Sequence, residues 1–138
     1  MEKEKFLFKM EKDKGIIIIA DDDFTNRELV LEICRRIDSG YKLESYETGE
    51  EVEERFKQGF NGVELVIVDE VMDPGLRGSD LIKRYSSEAK IFGCKMILHT
   101  GEGHKTGEQA IRYGAFSYIL KPTTPVKMDE IIRETLVD

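Results

Sequence analysis

Three aspartates, Asp21, Asp22 and Asp23, follow the apolar run Ile16–Ala20, and a further aspartate, Asp69, closes the run "VELVIVD". Thr100 ends "KMILHT" and Lys121 ends "AFSYILK". If these ends meet, Asp21, Asp22 and Asp69 share one site with a hydroxyl and an ammonium. Carboxylates crowded together do not all stay ionised comfortably without a cation. Hard oxygen ligands around a small site suit Mg²⁺, which binds through one or two carboxylates plus phosphate oxygens and keeps some waters. A carboxylate can also attack phosphorus to give an acyl phosphate. Phosphoryl transfer needs mainly charge neutralisation and positioning. Mg²⁺ supplies part of that, Lys121 another part, and the Thr100 hydroxyl can donate to a phosphoryl oxygen.

The elements that must bring these residues together alternate along the chain. Ile16–Ala20 is continuously apolar, as a strand covered on both faces should be. A helix from Phe24 to Ile37 carries Val30, Ile33, Cys34 and Ile37 at helical spacing, and Asp23 suits its cap or first turn. "YKLESY" is a short strand. Thr48 and Glu51 form a capping box for a helix bearing Val52 and Phe56. After "VELVIVD", Ser79 can cap a helix that buries Leu81, Ile82 and Tyr85. "KMILHT" follows, then a helix from near Thr106 to Tyr113 that ends at Gly114. "AFSYILK" is the last strand, and Thr124 and Pro125 open a closing helix with Met128, Ile131 and Ile132.

Five strands alternating with five helices predict one α/β domain built on a doubly wound parallel sheet, from residue 15 to residue 138. Residues 1–14 form an N-terminal extension, in which Phe6 and Phe8 either build an edge strand or belong to a charged tail. In such sheets ligands bind at the carboxyl ends of the strands, at the point where strand order reverses. Asp21, Asp22, Asp69, Thr100 and Lys121 all lie at such ends. The second strand ends without a useful polar group, as expected of a strand at the sheet edge.

The bulk properties narrow the function further. With 138 residues, 40% apolar and a formal charge of −7, the chain is large enough for one core and too acidic for non-specific nucleic-acid binding. No run is long enough to span a membrane and no signal peptide opens the chain, so a soluble cytoplasmic protein is expected. Cys34 and Cys94 fit neither a metal spacing nor a redox pair, and buried free thiols are expected. His99 should point away from Thr100 by strand alternation and His104 falls in a polar loop, so both suit packing or surface roles.

From about Gly15 onward the chain resembles the receiver domain of bacterial response regulators. The motifs that carry the resemblance are "IIIIADDD", "LVIVDEVMDPGLRG", "MILHTG" and "GAFSYILKP". It implies the flavodoxin-like strand order 2-1-3-4-5, and a phospho-accepting switch that takes its phosphoryl group from a histidine kinase or phosphotransfer protein onto Asp69. Asp22, Asp69 and the carbonyl of Val71 would bind Mg²⁺, with Asp21 ligating through water. Lys121 would pair with the phosphoryl group, and Lys121–Pro122 would be a cis peptide. Thr100 would move toward the phosphate, Gly101 would leave room for it, and Tyr118 would be the aromatic switch. The signalling face would comprise the fourth helix, fifth strand and fifth helix, in a monomer or a phosphorylation-dependent dimer. The protein would catalyse its own phosphorylation and slow dephosphorylation without being an enzyme on other substrates.

Three features depart from the family pattern. The loop after Asp69 is one residue longer, with Asp73 before Pro74. Glu70 directly follows the acceptor, where the family varies. The glycine-rich stretch "TGEGHKTGEQAIRYG" is short for the fourth helix, and mobility from Gly103 to Gly107 is expected. Two alternatives stand beside the receiver. Asp21, Asp23 and Thr25 follow the Asp-x-Asp-x-Thr pattern of haloacid dehalogenase-like phosphatases, with Asp21 as nucleophile. That pattern leaves Asp69 without a role, and no later strand supplies its second acidic motif. A receiver-like scaffold that works without phosphorylation is the other.

Overall fold

Apolar runs bounded by turn residues become the strands of one parallel sheet: β1 (Ile16–Ala20), β2 (Lys42–Tyr46), β3 (Val63–Asp69), β4 (Lys95–Thr100) and β5 (Ser117–Leu120). Between and after them run α1 (Phe24–Ile37), α2 (Gly49–Lys57), α3 (Gly78–Ile91), α4 (His104–Tyr113) and α5 (Pro125–Leu136). The computed structural model describes residues 14–137, so Phe6 and Phe8 lie outside the described residues. Every strand pair is parallel and the order is β2-β1-β3-β4-β5, as expected. β2 lies at an edge and is only partly buried.

Successive strand residues point to opposite faces, and here they divide the core into two layers. Ile18, Ala20, Val66, Val68 and Leu98 pack with Val52, Phe56, Leu81, Ile82 and Ala110 of α2, α3 and α4. Ile17, Ile19, Leu65, Ile67, Ile97 and Ile119 pack with Val30, Cys34, Met128 and Ile132 of α1 and α5. Both faces are therefore dry, and the only free sites on the central strands are their ends.

The helix starts follow local chemistry, with two corrections. Asp23 caps α1 by accepting the Asn26 amide, Thr48 and Glu51 form the expected capping box, and Thr124 caps α5 ahead of Pro125. Ser79 does not cap α3: the cap is Arg77, which makes no side-chain cap bond. The Ser79 amide and hydroxyl donate instead to the carboxylate of Glu70, at 2.7 and 2.9 Å, and Gly78 donates to the Glu70 carbonyl. Glu70 thus caps α3 from outside the helix. α4 begins at His104, earlier than Thr106, because Gly103 takes a φ of 93° at its cap that few other residues adopt. His104 is accordingly in the first turn of a helix, not in a loop. At the other end of α4, Gly114 closes the helix in the left-handed region, as expected.

Cys34 and Cys94 are free and buried, and burial pushes both thiols up to about 12. Because thiolates are the reactive form, native protein at pH 8 is expected to leave both cysteines unmodified by Ellman's reagent. Protein unfolded in guanidinium should give two equivalents. Prompt reaction of the native protein would mean that the helical layers open far more readily than their packing implies.

Candidate functional site

β1 and β3 are neighbours, and each ends in acid. Asp21 follows β1 and is buried, Asp69 ends β3 and is buried, and Asp22 points into solvent beside them. The three carboxylates each offer an oxygen within 4.8 Å of the others. Backbone and side-chain bonds fix their positions. Asp21 accepts the Asp23 amide on Oδ1 at 2.9 Å, and its carbonyl accepts from Arg27 at 2.6 Å. Asp69 accepts the Glu70 amide on Oδ1 at 2.8 Å. Lys121, just past β5, reaches across the sheet ends with its Nζ 3.0 Å from Asp21 Oδ2 and 3.2 Å from Asp69 Oδ1. Thr100 closes β4 fully buried, and its hydroxyl accepts the Glu102 amide at 3.0 Å.

The charges do not balance. Burial, and then the charge of Asp21, raise the Asp69 carboxyl to about 6 against the opposing pull of Lys121 and the Glu70 amide. Burial pulls Lys121 down, but its bonds to Asp21 and Asp69 outweigh it and hold the ammonium above its usual range. One ammonium facing three carboxylates leaves an acidic, all-oxygen donor set that fits a hard divalent cation. A buried carboxyl of raised pKa, an acidic cluster, a lysine and a buried hydroxyl thus lie at the strand ends.

The model of the response regulator receiver domain matches residues 17–133. The chain belongs to this family. It is a CheY-like receiver domain of two-component signalling. Among its relatives, the chemotaxis protein CheY1 of Helicobacter pylori is 28% identical over 87% of this chain and 95% of its own. A chemotaxis protein CheY homolog of Campylobacter jejuni is 29% identical over 87% and 91%. Of solved structures, the BeF3-activated DrrB receiver domain aligns with a TM-score of 0.74 at 19% identity, over 88% of this chain and 97% of that one. The chemotaxis response regulator CheY4 of Vibrio cholerae aligns with 0.73 at 21% identity, over 88% and 98%.

The remaining residues of the receiver fall where the strands put them. The Lys121–Pro122 bond is cis, as is Asp73–Pro74 in the lengthened loop. Val71, two residues after Asp69, is exposed, while its neighbour Met72 anchors the loop in the core. Gly101 has open space, since an added Cβ there would stand 3.9 Å from the Lys121 Cβ. Tyr118 is half-buried, and its hydroxyl lies 2.8 Å from His104 Nδ1 with the rings edge to face. Asp23 is occupied as the α1 cap and Thr25 is exposed on that helix, so the phosphatase pattern finds no second catalytic acid in this stretch.

Two residues went unassigned on sequence grounds. Glu70 is 3% exposed and joins Asp69 to α3; the signal was an acid after Asp69 followed by Ser79 in the first turn of a helix. Arg77 pairs with Glu102 and stands 3.7 Å from Glu70, a contact across 25 residues that no local pattern reveals.

His99 points to the α1–α5 side with its ring 3.4 Å from the Thr123 hydroxyl. Burial, and then the Lys121 charge, lower it to about 4. The unfolded chain therefore binds a proton that the folded chain refuses, and folding stability falls as pH drops from about 6.5 toward 4. That loss is expected to reach about 1.4 kcal/mol per pH unit within this window. Asp69 contributes with the opposite sign, so the difference between wild type and His99→Met isolates the histidine. Equal pH dependence of the two denaturation midpoints would contradict a neutral buried ring.

Proposed function

We propose that Asp69 accepts a phosphoryl group from a phosphohistidine of a histidine kinase or phosphotransfer protein and thereby switches the domain's interaction surface. The observation that carries this is the Lys121 ammonium standing between Asp21 and Asp69. A carboxylate oxygen of Asp69 bonds to phosphorus as the P–N bond to the donor imidazole breaks, and that electron pair leaves with the ring nitrogen. Lys121 holds the acceptor in place and meets the charge on the transferred group. Mg²⁺, held by Asp21, Asp22, Asp69 and the Val71 carbonyl, would neutralise phosphoryl oxygens. Water later attacks phosphorus slowly, which restores the Asp69 carboxylate and releases inorganic phosphate.

Once the group is in place, Thr100 donates to a phosphoryl oxygen and Gly101 leaves space for its approach. The turn after Thr100 moves with it, and Tyr118 exchanges its present place on His104 for one nearer Thr100. The surface changed is that of α4, β5 and α5. It holds a groove of about 440 Å³ lined by His104, Tyr118, Leu120, Pro122, Lys127 and Ile131, where a downstream protein docks. Among the described residues no helix is long and apolar enough to cross a membrane, and action in the cytoplasm fits the kinase partner.

Intact mass after incubation with Mg²⁺ and acetyl phosphate tests this directly. Wild type should gain one phosphoryl group, Asp69→Ala none, and EDTA should stop the gain. Asp21→Ala should still label, slowed roughly ten- to a hundredfold at limiting Mg²⁺, the usual effect of losing a residue that supports a metal's ligands. Label that survives in Asp69→Ala but vanishes in Asp21→Ala would move the nucleophile to the first acidic run.

A further inference from the structure

The loop after the acceptor and the turn after Thr100 are joined by one side chain. Arg77, at the cap of α3, pairs with the carboxylate of Glu102 and lies 3.7 Å from that of Glu70. The Glu70 end is held by four hydrogen bonds. Its amide is bonded to Asp69, its carboxylate to the amide and hydroxyl of Ser79, and its carbonyl to the Gly78 amide. An added Cβ at Gly78 would run into the Asp69 carbonyl, so the start of α3 is pressed directly on the acceptor.

The Glu102 end is different. It sits between Gly101 and Gly103, where an added Cβ would meet little or nothing within 4 Å. Among the described residues, the bonds that hold this turn are few. They are the Arg77 pair, the Glu102 amide on the Thr100 hydroxyl, and the Gly103 carbonyl accepting from Gly107 at 3.3 Å. Glu102 is thus held by Arg77 through its side chain while its own amide occupies the hydroxyl that must turn toward the acceptor.

We propose that Arg77 is a positioning residue for phosphoryl transfer, a latch that fixes the Gly101–Gly103 turn to the Glu70 corner and so holds Thr100 in its resting place. The inference rests on Asp69 being the acceptor and Thr100 the moving hydroxyl. The pair is half exposed, with side-chain exposures of 47% and 42%, so it biases an equilibrium without dominating it. Unlatching frees the turn, and the arrangement in which Thr100 approaches Asp69 becomes more populated before any phosphate arrives.

The test compares Arg77→Ala, Glu102→Ala, the double variant and Arg77→Lys with wild type, using acetyl phosphate with Mg²⁺. Both single alanine variants are expected to raise the maximal labelling rate roughly two- to fivefold, as the loss of an exposed pair allows. The double variant should go no further than either single one, because both remove the same contact. Arg77→Lys should restore most of the wild-type rate, and thermal midpoints should stay together. Hydrogen exchange without donor should quicken at Gly101–Gly107 in the alanine variants.

Rates that move in opposite directions for Arg77→Ala and Glu102→Ala, through the half-saturating donor concentration alone, would reduce Arg77 to a charge that attracts donor and overturn the latch. Unchanged exchange in that turn overturns it as well. Wild type that takes no label would instead refute the acceptor role of Asp69, and exchange would still judge the latch.

Discussion

Asp21 and Asp69 are 3% and 7% exposed at the ends of adjacent strands, and two like charges taken out of water together repel each other and lose hydration. Lys121 makes the arrangement tenable by placing its ammonium within 3.2 Å of both. It reaches them from beyond β5, a strand that pairs only with β4. The electrostatic contact therefore ties the end of β5 to those of β1 and β3, strands with which β5 shares no ladder hydrogen bonds. Even so, the single ammonium does not offset the acidic cluster, and burial, then the charge of Asp21, keep the Asp69 carboxyl raised. The acidic, all-oxygen set that remains is one that a hard divalent cation fits.

That unbalanced site is affordable only because everything beneath it is closed. Ile17 and Ile18, Leu65 and Val66, Ile97 and Leu98 send alternate side chains into two separate dry layers, and none of these side chains is polar. The chemistry is displaced to the ends, where backbone amides position carboxylates without crossing the core. Glu70 shows the same division of labour at finer scale. It is a buried acid, yet its oxygens are met by the Ser79 amide and hydroxyl and by the nearby Arg77, so burial costs it little.

Most of this was legible in the sequence because it is written in local patterns. Apolar runs named the strands, capping residues such as Thr48, Asp23 and Thr124 named helix starts, and polar residues closing the runs named the site. What escaped was either backbone geometry or long-range contact. Ser79 carries the side chain of a helix cap, but a cap bond is a competition, and the Glu70 carboxylate nine residues away offered the stronger partner. Gly103 begins α4 through its φ alone and has no side chain to announce it. The meeting of Arg77 with Glu102, and of His104 with Tyr118, depends on how β3, β4 and β5 lie side by side, which no window of sequence contains.

The same closure decides where a signal can travel. A change at Asp69 cannot pass downward through β3, since Val66, Ile67 and Val68 are packed on both faces. It cannot readily move α3, whose start is locked to Glu70 and pressed against the acceptor carbonyl. The glycine-flanked turn after Thr100 is less enclosed, and it leads at once to His104 and so to the Tyr118 hydroxyl. Tyr118 in turn lies against α4 only because Gly107 has no side chain there; an added Cβ would fall within the ring. The turn after Thr100, the first turn of α4 and the Tyr118 ring therefore form a continuous line through His104. Local motion begins where restraint is least, and this turn, held by few bonds among the described residues, lies beside the buried Thr100 hydroxyl.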